Sequence, residues 1–330
     1  MKNLSLINML ILIFIGACTD QNDVGLEFKL MDILNSDDML GMEEFDTNGD
    51  AELNFNMGLE TEGLAKTLND TLGFGEGYRI RFGRRITENN RVVEFEIDGD
   101  IAIGLINYNI NGTLYVKAFD TTDNDQIDSI SFEKDFATNF KRKVLFTQVD
   151  NPNNPDGYDW TINALTPLVG GSGDKIEINK IYIYELTETM VNEVLLYQYS
   201  SDGIDNLFIN RDSLPVFNAF TPYLIEVYTN NSGPELSNDS TGVGEWVFKN
   251  YGRGTDLRGR KHLNDKGRQL DSLMNDNIHT GGWRAHGPGL GLQRRGFRSF
   301  FETIDLATIF VEDGGYNTSV WSIPYRVQRP

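Results

Sequence analysis

The stretch Arg91-Val92-Val93-Glu94-Phe95-Glu96-Ile97-Asp98-Gly99-Asp100-Ile101 decides the fold class. Val93, Phe95 and Ile97 alternate with Glu94 and Glu96, a period of two that sets an apolar face against a charged one along a strand. Asp98-Gly99 supplies a turn. Beyond it Ile101, Ile103 and Leu105 share one parity and Ile106, Tyr108 and Ile110 the other. Such a change inside a strand predicts a β-bulge. Asn111-Gly112 is a strong two-residue hairpin signal, and Leu114, Val116 and Ala118 resume the alternation after it. Working outward, further strands are predicted over 142–149, 160–165 and 175–184, with Asp156-Gly157 turning between the first two. Short turns without helical interruption predict an antiparallel β domain over 74–188. A connection over 189–210 follows, marked by the polar stretch that begins at Tyr199 and runs on to Asp212.

A second core is predicted over 211–330 from Leu224, Tyr228, Trp246, Phe248, Trp283, Phe297, Phe300, Ile304, Ile309, Trp321, Ile323 and Tyr325. Tyr223 to Asn231 reads as a strand leaving into a loop. Leu263-Asn264-Asp265-Lys266-Gly267, Asp271-Ser272 and Asn275-Asp276-Asn277-Ile278-His279-Thr280-Gly281 follow. This run resembles the aspartate- and glycine-rich stretch of immunoglobulin-like domains appended to bacterial extracellular proteins. It departs from that pattern at Lys266 and Asn277. The resemblance implies a β-sandwich and brings no activity with it. The Gly157-Tyr158-Asp159-Trp160-Thr161-Ile162 segment, after small helices and strands, is also similar to the cone-shaped fold of nuclear-transport-factor-2-like proteins. The fold class expected is mainly β: two antiparallel β domains, the second an immunoglobulin-like sandwich, after an acidic segment (18–73) that is a tether with short helices. Those helices are predicted at 28–34 and 62–72, where Leu64, Leu68 and Leu72 recur four apart before Gly73.

The chain begins Met1-Lys2-Asn3, and residues 4–17 carry no charge, with Met9 to Ile15 apolar. A basic start and a short apolar run have the form of an export signal, too short to span a bilayer comfortably as a permanent helix. Ile15-Gly16-Ala17-Cys18 resembles the lipobox of bacterial lipoproteins. The resemblance implies a signal peptide over 1–17, cleavage before Cys18 and a diacylglyceryl group on its sulfur. Acyl chains contribute roughly 0.8 kcal/mol per buried methylene, so several chains anchor a protein durably. Cys18 is the only cysteine, which excludes an internal disulfide framework and a cysteine-based zinc site. The expected location is the cell envelope, lipid-anchored, on the outer membrane.

The formal net charge of −20 argues against a nucleic-acid partner. The charge is uneven. Residues 18–72 hold 14 Asp or Glu with only Lys29 and Lys66, whereas residues 249–298 hold 11 Lys or Arg against four Asp. The acidic part reads as a solvated spacer. The basic part reads as a solvated strand face with long loops, or as a site for an anionic partner: an anionic glycan, a phosphate head group or the chain's own acidic segment. The partners expected are an anionic glycan or an envelope protein.

Candidate calcium ligands are Asp46, Asn48, Asp50 and Glu52, oxygen donors at alternate positions, although Ala51 and Met57 stand where such a loop wants a glycine and a bidentate glutamate. The loop from Asp120 to Asp128 is a second acidic candidate. His262, His279 and His286 lack metal-ligand spacing, no Gly-x-Ser-x-Gly elbow accompanies them, and they are expected at the surface. The glycine-rich segment 281–291 lacks the Lys-Ser/Thr ending of a phosphate loop. It reads as a binding loop with Trp283, Arg284, Arg294, Arg295 and Arg298, whose guanidinium forks suit carboxylates and phosphates. The function expected is a non-catalytic binding or structural ectodomain without a required cofactor. The alternative is an envelope hydrolase of glycans, with two carboxylates flanking a cleft.

Overall fold

The computed structural model describes residues 21–37, 39–40, 59–60, 78–120, 129–186, 193–233, 244–252, 258–288, 296–311 and 314–330. The chain divides into two compact units, 1–37 and 38–330. Within the first, residues 21–37 form helix α1 (Gln21–Asn35) and its C-terminal turn; the helix contains the predicted 28–34 segment and leaves Phe28 exposed. The 62–72 helix and both acidic-loop interiors lie outside the described residues, as does Cys18.

The second unit is mainly β. In chain order the strands are β1 (Leu59–Glu60), β2 (Tyr78–Asp98), β3 (Ile101–Asp120), β4 (Ser129–Asp150), β5 (Tyr158–Leu165) and β6 (Leu168–Ser172). Then come β7 (Ile176–Leu186), β8 (Glu193–Ser200), β9 (Ile209–Asn210), β10 (Val216–Asn218) and β11 (Pro222–Asn231). The last are β12 (Glu245–Gly252), β13 (Arg258–Leu263), β14 (Ile278–Arg284), β15 (Gly296–Asp305), a short helix α2 (Leu306–Phe310) and β16 (Thr318–Gln328). A large sheet has the order β1-β2-β3-β4-β6-β16-β15-β12-β13, with β5, β9 and β10 attached beside this path. A small sheet has the order β14-β11-β7-β8. The pairings are antiparallel apart from the short parallel pair β10–β16.

The predicted boundary at 189–210 does not separate the sheets. β6 lies between β4 and β16, and β7 lies between β8 and β11. Residues 193–200, expected within the connection, are β8. The cone-shaped alternative needs helices packed on a sheet, and among the described residues of 74–188 every regular element is a strand.

Strands β12, β15 and β16 have both faces covered. On one face, Val169, Val247, Phe301, Trp321, Ile323 and Tyr325 share a core with Ile181, Ile183, Tyr223, Ile225, Val227 and Trp283 of the small sheet. On the other, the large sheet curls back on itself. Phe82 of β2 stacks on Trp246 of β12 with ring centroids 6.0 Å apart, and Phe136 of β4 stacks on Tyr316 at 4.6 Å. Lys134 Nζ donates to Val311 O at 2.7 Å. Hence β15 is buried continuously from Phe297 to Asp305, and its sequence Phe297-Arg298-Ser299-Phe300-Phe301 shows no alternation. A strand enclosed on both sides has no polar face to reveal its period.

Asn111-Gly112 is not a turn. β3 runs straight through it, while β2 carries the irregularity between Ile86 and Glu88, opposite those two residues. A Cβ at Gly112 would collide with the Arg85 carbonyl and the Phe136 ring, so glycine is required there for close packing. No bulge interrupts β3 either. Ala102, Ile106, Tyr108, Ile110, Leu114 and Val116 face inward, and Ile101, exposed, with Ile103 and Leu105, partly covered, lie on the outer face. Asp98-Gly99 and Asp156-Gly157 do turn, with Gly99 at φ 61° and Gly157 at φ 78°.

Candidate functional site

The residues of the expected arginine loop are not gathered on one surface. Trp283 lies on β14 with 2% exposure, inside the core, because the strand's inward parity falls on it. Arg298 is also buried. Arg294 and Arg295, like Asp46, Asn48, Asp50 and Glu52, lie outside the described residues. Among the described residues of that set Arg284 alone is exposed, and its neighbourhood is unusual. Its Nε donates to the Phe220 carbonyl at 2.6 Å. The Phe220 ring is 61% exposed, and its backbone has φ 63°. A bulky residue in the left-handed region costs about 1–3 kcal/mol. The conformation is held from several sides. Phe220 N donates to Ala285 O at 2.8 Å, Ala285 N to Thr221 O at 3.1 Å, and Ala219 N to Gln328 O at 2.8 Å. The result is a rigid aromatic tip beside a guanidinium whose remaining N–H groups make no hydrogen bond.

The basic stretch 249–298 is a solvated face only in part: Lys261, Lys266, Arg268 and Arg284 are exposed, but Lys249 and Arg298 are buried and Arg260 is nearly so. Arg260 and Arg84 both pair with the buried Glu302, and Asn250 Nδ2 donates to Glu302 Oε2 at 3.2 Å. Burial pushes the Glu302 carboxyl up, but the two guanidiniums outweigh it and hold it below the usual carboxylate range. Lys249 has no counter-charge. Its Nζ makes no hydrogen bond and stands 4.0 Å from the Trp283 ring centroid, 5.3 Å from those of Tyr251 and Phe301 and 5.4 Å from that of Tyr325. Burial lowers its pKa well below the ordinary lysine value. The unfolded chain then carries a proton that the folded one lacks, so this group makes stability rise with pH up to about 10.4. Lys249→Met is expected to raise stability near neutral pH by about 1–3 kcal/mol and to flatten that rise. Urea unfolding at several pH values measures both.

His279 is buried, contrary to the surface position expected for it, because it faces inward on β14. Its Nε2 lies 3.0 Å from Glu245 Oε1, which also accepts from Thr229 Oγ1 at 2.7 Å. Asn231 Nδ2 bridges Glu245 Oε2 at 3.0 Å and Asp305 Oδ1 at 3.4 Å. Burial pushes both carboxyls up. At Glu245 the bonds from His279, Asn231 and Thr229 outweigh it and bring the pKa below the usual range, whereas Asp305 stays above. Glu245 and Asp305 are 3% and 0% exposed.

The loop between β13 and β14 gathers Asp265, Asp271 and Asp276, whose carboxylate oxygens come within 4.8 Å of one another. These are hard donors of the kind calcium takes. Their bonds also close the loop. Asp265 accepts from Asp276 N at 3.2 Å and Asn277 N at 2.9 Å, Asp271 from Gly267 N at 2.6 Å, and Asp276 from Ile278 N at 3.0 Å. Gly267, Gln269, Asn275 and Asn277 all have positive φ, which a tightly wound loop requires. The sequence signal for this cluster was the Asp-rich run itself.

No family model matches the chain, and neither a curated protein nor a solved structure does.

Proposed function

We propose that the chain is an envelope lipoprotein, anchored to the outer membrane through lipid on Cys18, whose β ectodomain binds an anionic glycan without catalysing a reaction. The observation that carries the binding reading is the Phe220–Arg284 tip. Backbone strain held by several hydrogen bonds under an exposed aromatic ring serves no packing purpose, and the adjacent guanidinium offers a fork to a carboxylate. One carboxylate pair, Glu245 and Asp305, is enclosed and shared with Asn231, so it is not open to a substrate. The immunoglobulin-like reading belongs to the same proposal. It is supported by the packing of β7, β8, β11 and β14 against β12, β15 and β16, with the loop from Asn264 to Asn277 beside it. That sandwich would begin with β7 and not at residue 211.

Two measurements test this reading. Palmitate labelling and membrane association are expected in the wild-type chain and lost in Cys18→Ser. The purified full chain in detergent is expected to bind acidic oligosaccharides more weakly as salt rises. Arg284→Ala should weaken that binding about tenfold or more, the size of one charge-assisted hydrogen bond. Phe220→Gly should weaken it too, while leaving stability unchanged or higher because the strain is gone. Binding that is indifferent to both substitutions would refute the assignment of the tip.

A further inference from the structure

A second surface, sharing no residue with the tip, has a different chemistry. On the outer face of β2–β4 a groove of about 480 Å³ is lined by Val92, Asn107, Asn109, Asn139, Lys141 and Val169, with backbone of Phe140 and Gly170. The register places these side chains in two rows. Val92 opposes Asn107, Asn107 opposes Lys141, and Lys141 opposes Val169. Asn90 opposes Asn109, Asn109 opposes Asn139, and Asn139 opposes Gly171, which has no side chain. Neighbours in a row are about 4.8 Å apart and successive rows about 6.8 Å.

Three properties define what this grid fits. First, among the described residues the side chains of Asn107, Asn109 and Asn139 have no hydrogen-bond partner, so three carboxamides present six N–H donors and six acceptor lone pairs to whatever enters. Second, the groove carries no unmatched charge, because Lys141 Nζ pairs with Asp205 Oδ2 at 2.6 Å and neither residue is buried. Third, Val92 is 42% exposed and gives apolar contact at one end of an amide floor, while the other end is walled by Val169, which is largely buried in the core shared with the small sheet. Uncharged groups that donate and accept in equal measure, flanked by apolar surface, complement a chain of hydroxyls on C–H faces.

We propose that this groove binds a neutral oligosaccharide. The inference rests on the reading that the ectodomain binds, and it assigns a ligand class and a location distinct from the acidic glycan at Phe220–Arg284. Rows that run from strand to strand over β2, β3, β4 and β6 also favour an extended, unbranched ligand lying across β3 and β4.

The test uses the purified full chain in detergent against immobilised neutral linear hexasaccharides (glucans, xylans and mannans of both anomeric linkages), with an acidic uronic-acid hexasaccharide alongside. The wild type is expected to bind at least one neutral series with little salt dependence. Asn109→Ala/Asn139→Ala should weaken that binding about tenfold or more, two lost hydrogen bonds to an exposed site, with unfolding unchanged. Arg284→Ala should leave it intact. Absence of neutral binding, or neutral binding untouched by the double substitution, overturns the groove assignment. In that event, acidic binding lost in Arg284→Ala leaves the broader reading standing. Shortened neutral products would instead sustain the groove and overturn the non-catalytic reading.

Discussion

Glu302→Leu is expected to lower stability by about 3–5 kcal/mol, because it strands two buried guanidiniums without a counter-charge. Arg84 and Arg260 reach Glu302 from β2 and β13, so the same carboxylate ties the curled-back strands to the middle layer. Removing all three charges together, as Arg84→Met/Arg260→Leu/Glu302→Leu, should recover most of the loss, since no ion then remains to be desolvated. Urea unfolding compares the three proteins. A single-substitution loss below about 1 kcal/mol would mean that the charges are not the connection inferred here. The pH response has a definite sign. Glu302 is held below its ordinary pKa, so its contribution is complete above about 4.3 and disappears as pH falls towards the lowered value. Glu302→Leu should therefore be less sensitive to acid over that window than the wild type.

Gly171→Val should be more damaging still. A Cβ at Gly171 would collide with the Thr318 carbonyl, and one at Gly170 with the Asn139 carbonyl. Both obstacles are backbone, which cannot rotate aside as a side chain can. β6 is the strand that joins β4 to β16, so either substitution forces apart the two halves of the large sheet. We expect a loss above about 4 kcal/mol, or a chain that does not fold cooperatively, by circular dichroism and urea titration. Gly203→Ala serves as the comparison. Its new Cβ meets nothing, φ is 79°, and only the backbone penalty of about 1 kcal/mol applies. Equal effects at Gly171 and Gly203 would refute the steric account.

The fold class was legible where one strand face meets water. Glu94 and Glu96 against Phe95 and Ile97 declare a strand, and the turns at Gly99 and Gly157 follow from their dipeptides. The arrangement of strands was not legible, for three physical reasons. Phe300 and Phe301 are both buried, so β15 carries no period from which to read a face. Leu168 to Ser172 is too short and glycine-rich to signal that it bridges two halves of a sheet. Asn111-Gly112 has the composition of a turn but is there because Arg85 and Phe136 leave no room for a Cβ. Part of the candidate site could be foreseen. Arg284 follows from the arginine-rich segment, whereas Phe220 is one phenylalanine among 20 until its φ is known. The asparagine grid depends on register between strands, which a single sequence does not contain.

The position of β16 sets an order of events. It pairs with β6, β10 and β15, and it is later in the chain than all of them. Until residues 318–328 leave the ribosome, β6 has no partner on one edge and β15 has an open edge with two apolar faces. The middle layer therefore cannot assemble from its N-terminal side as synthesis proceeds. Contacts this distant in sequence also close slowly. The middle layer is thus completed only once this last strand has been made. In the interval it depends on shielding against sticky encounters with other chains.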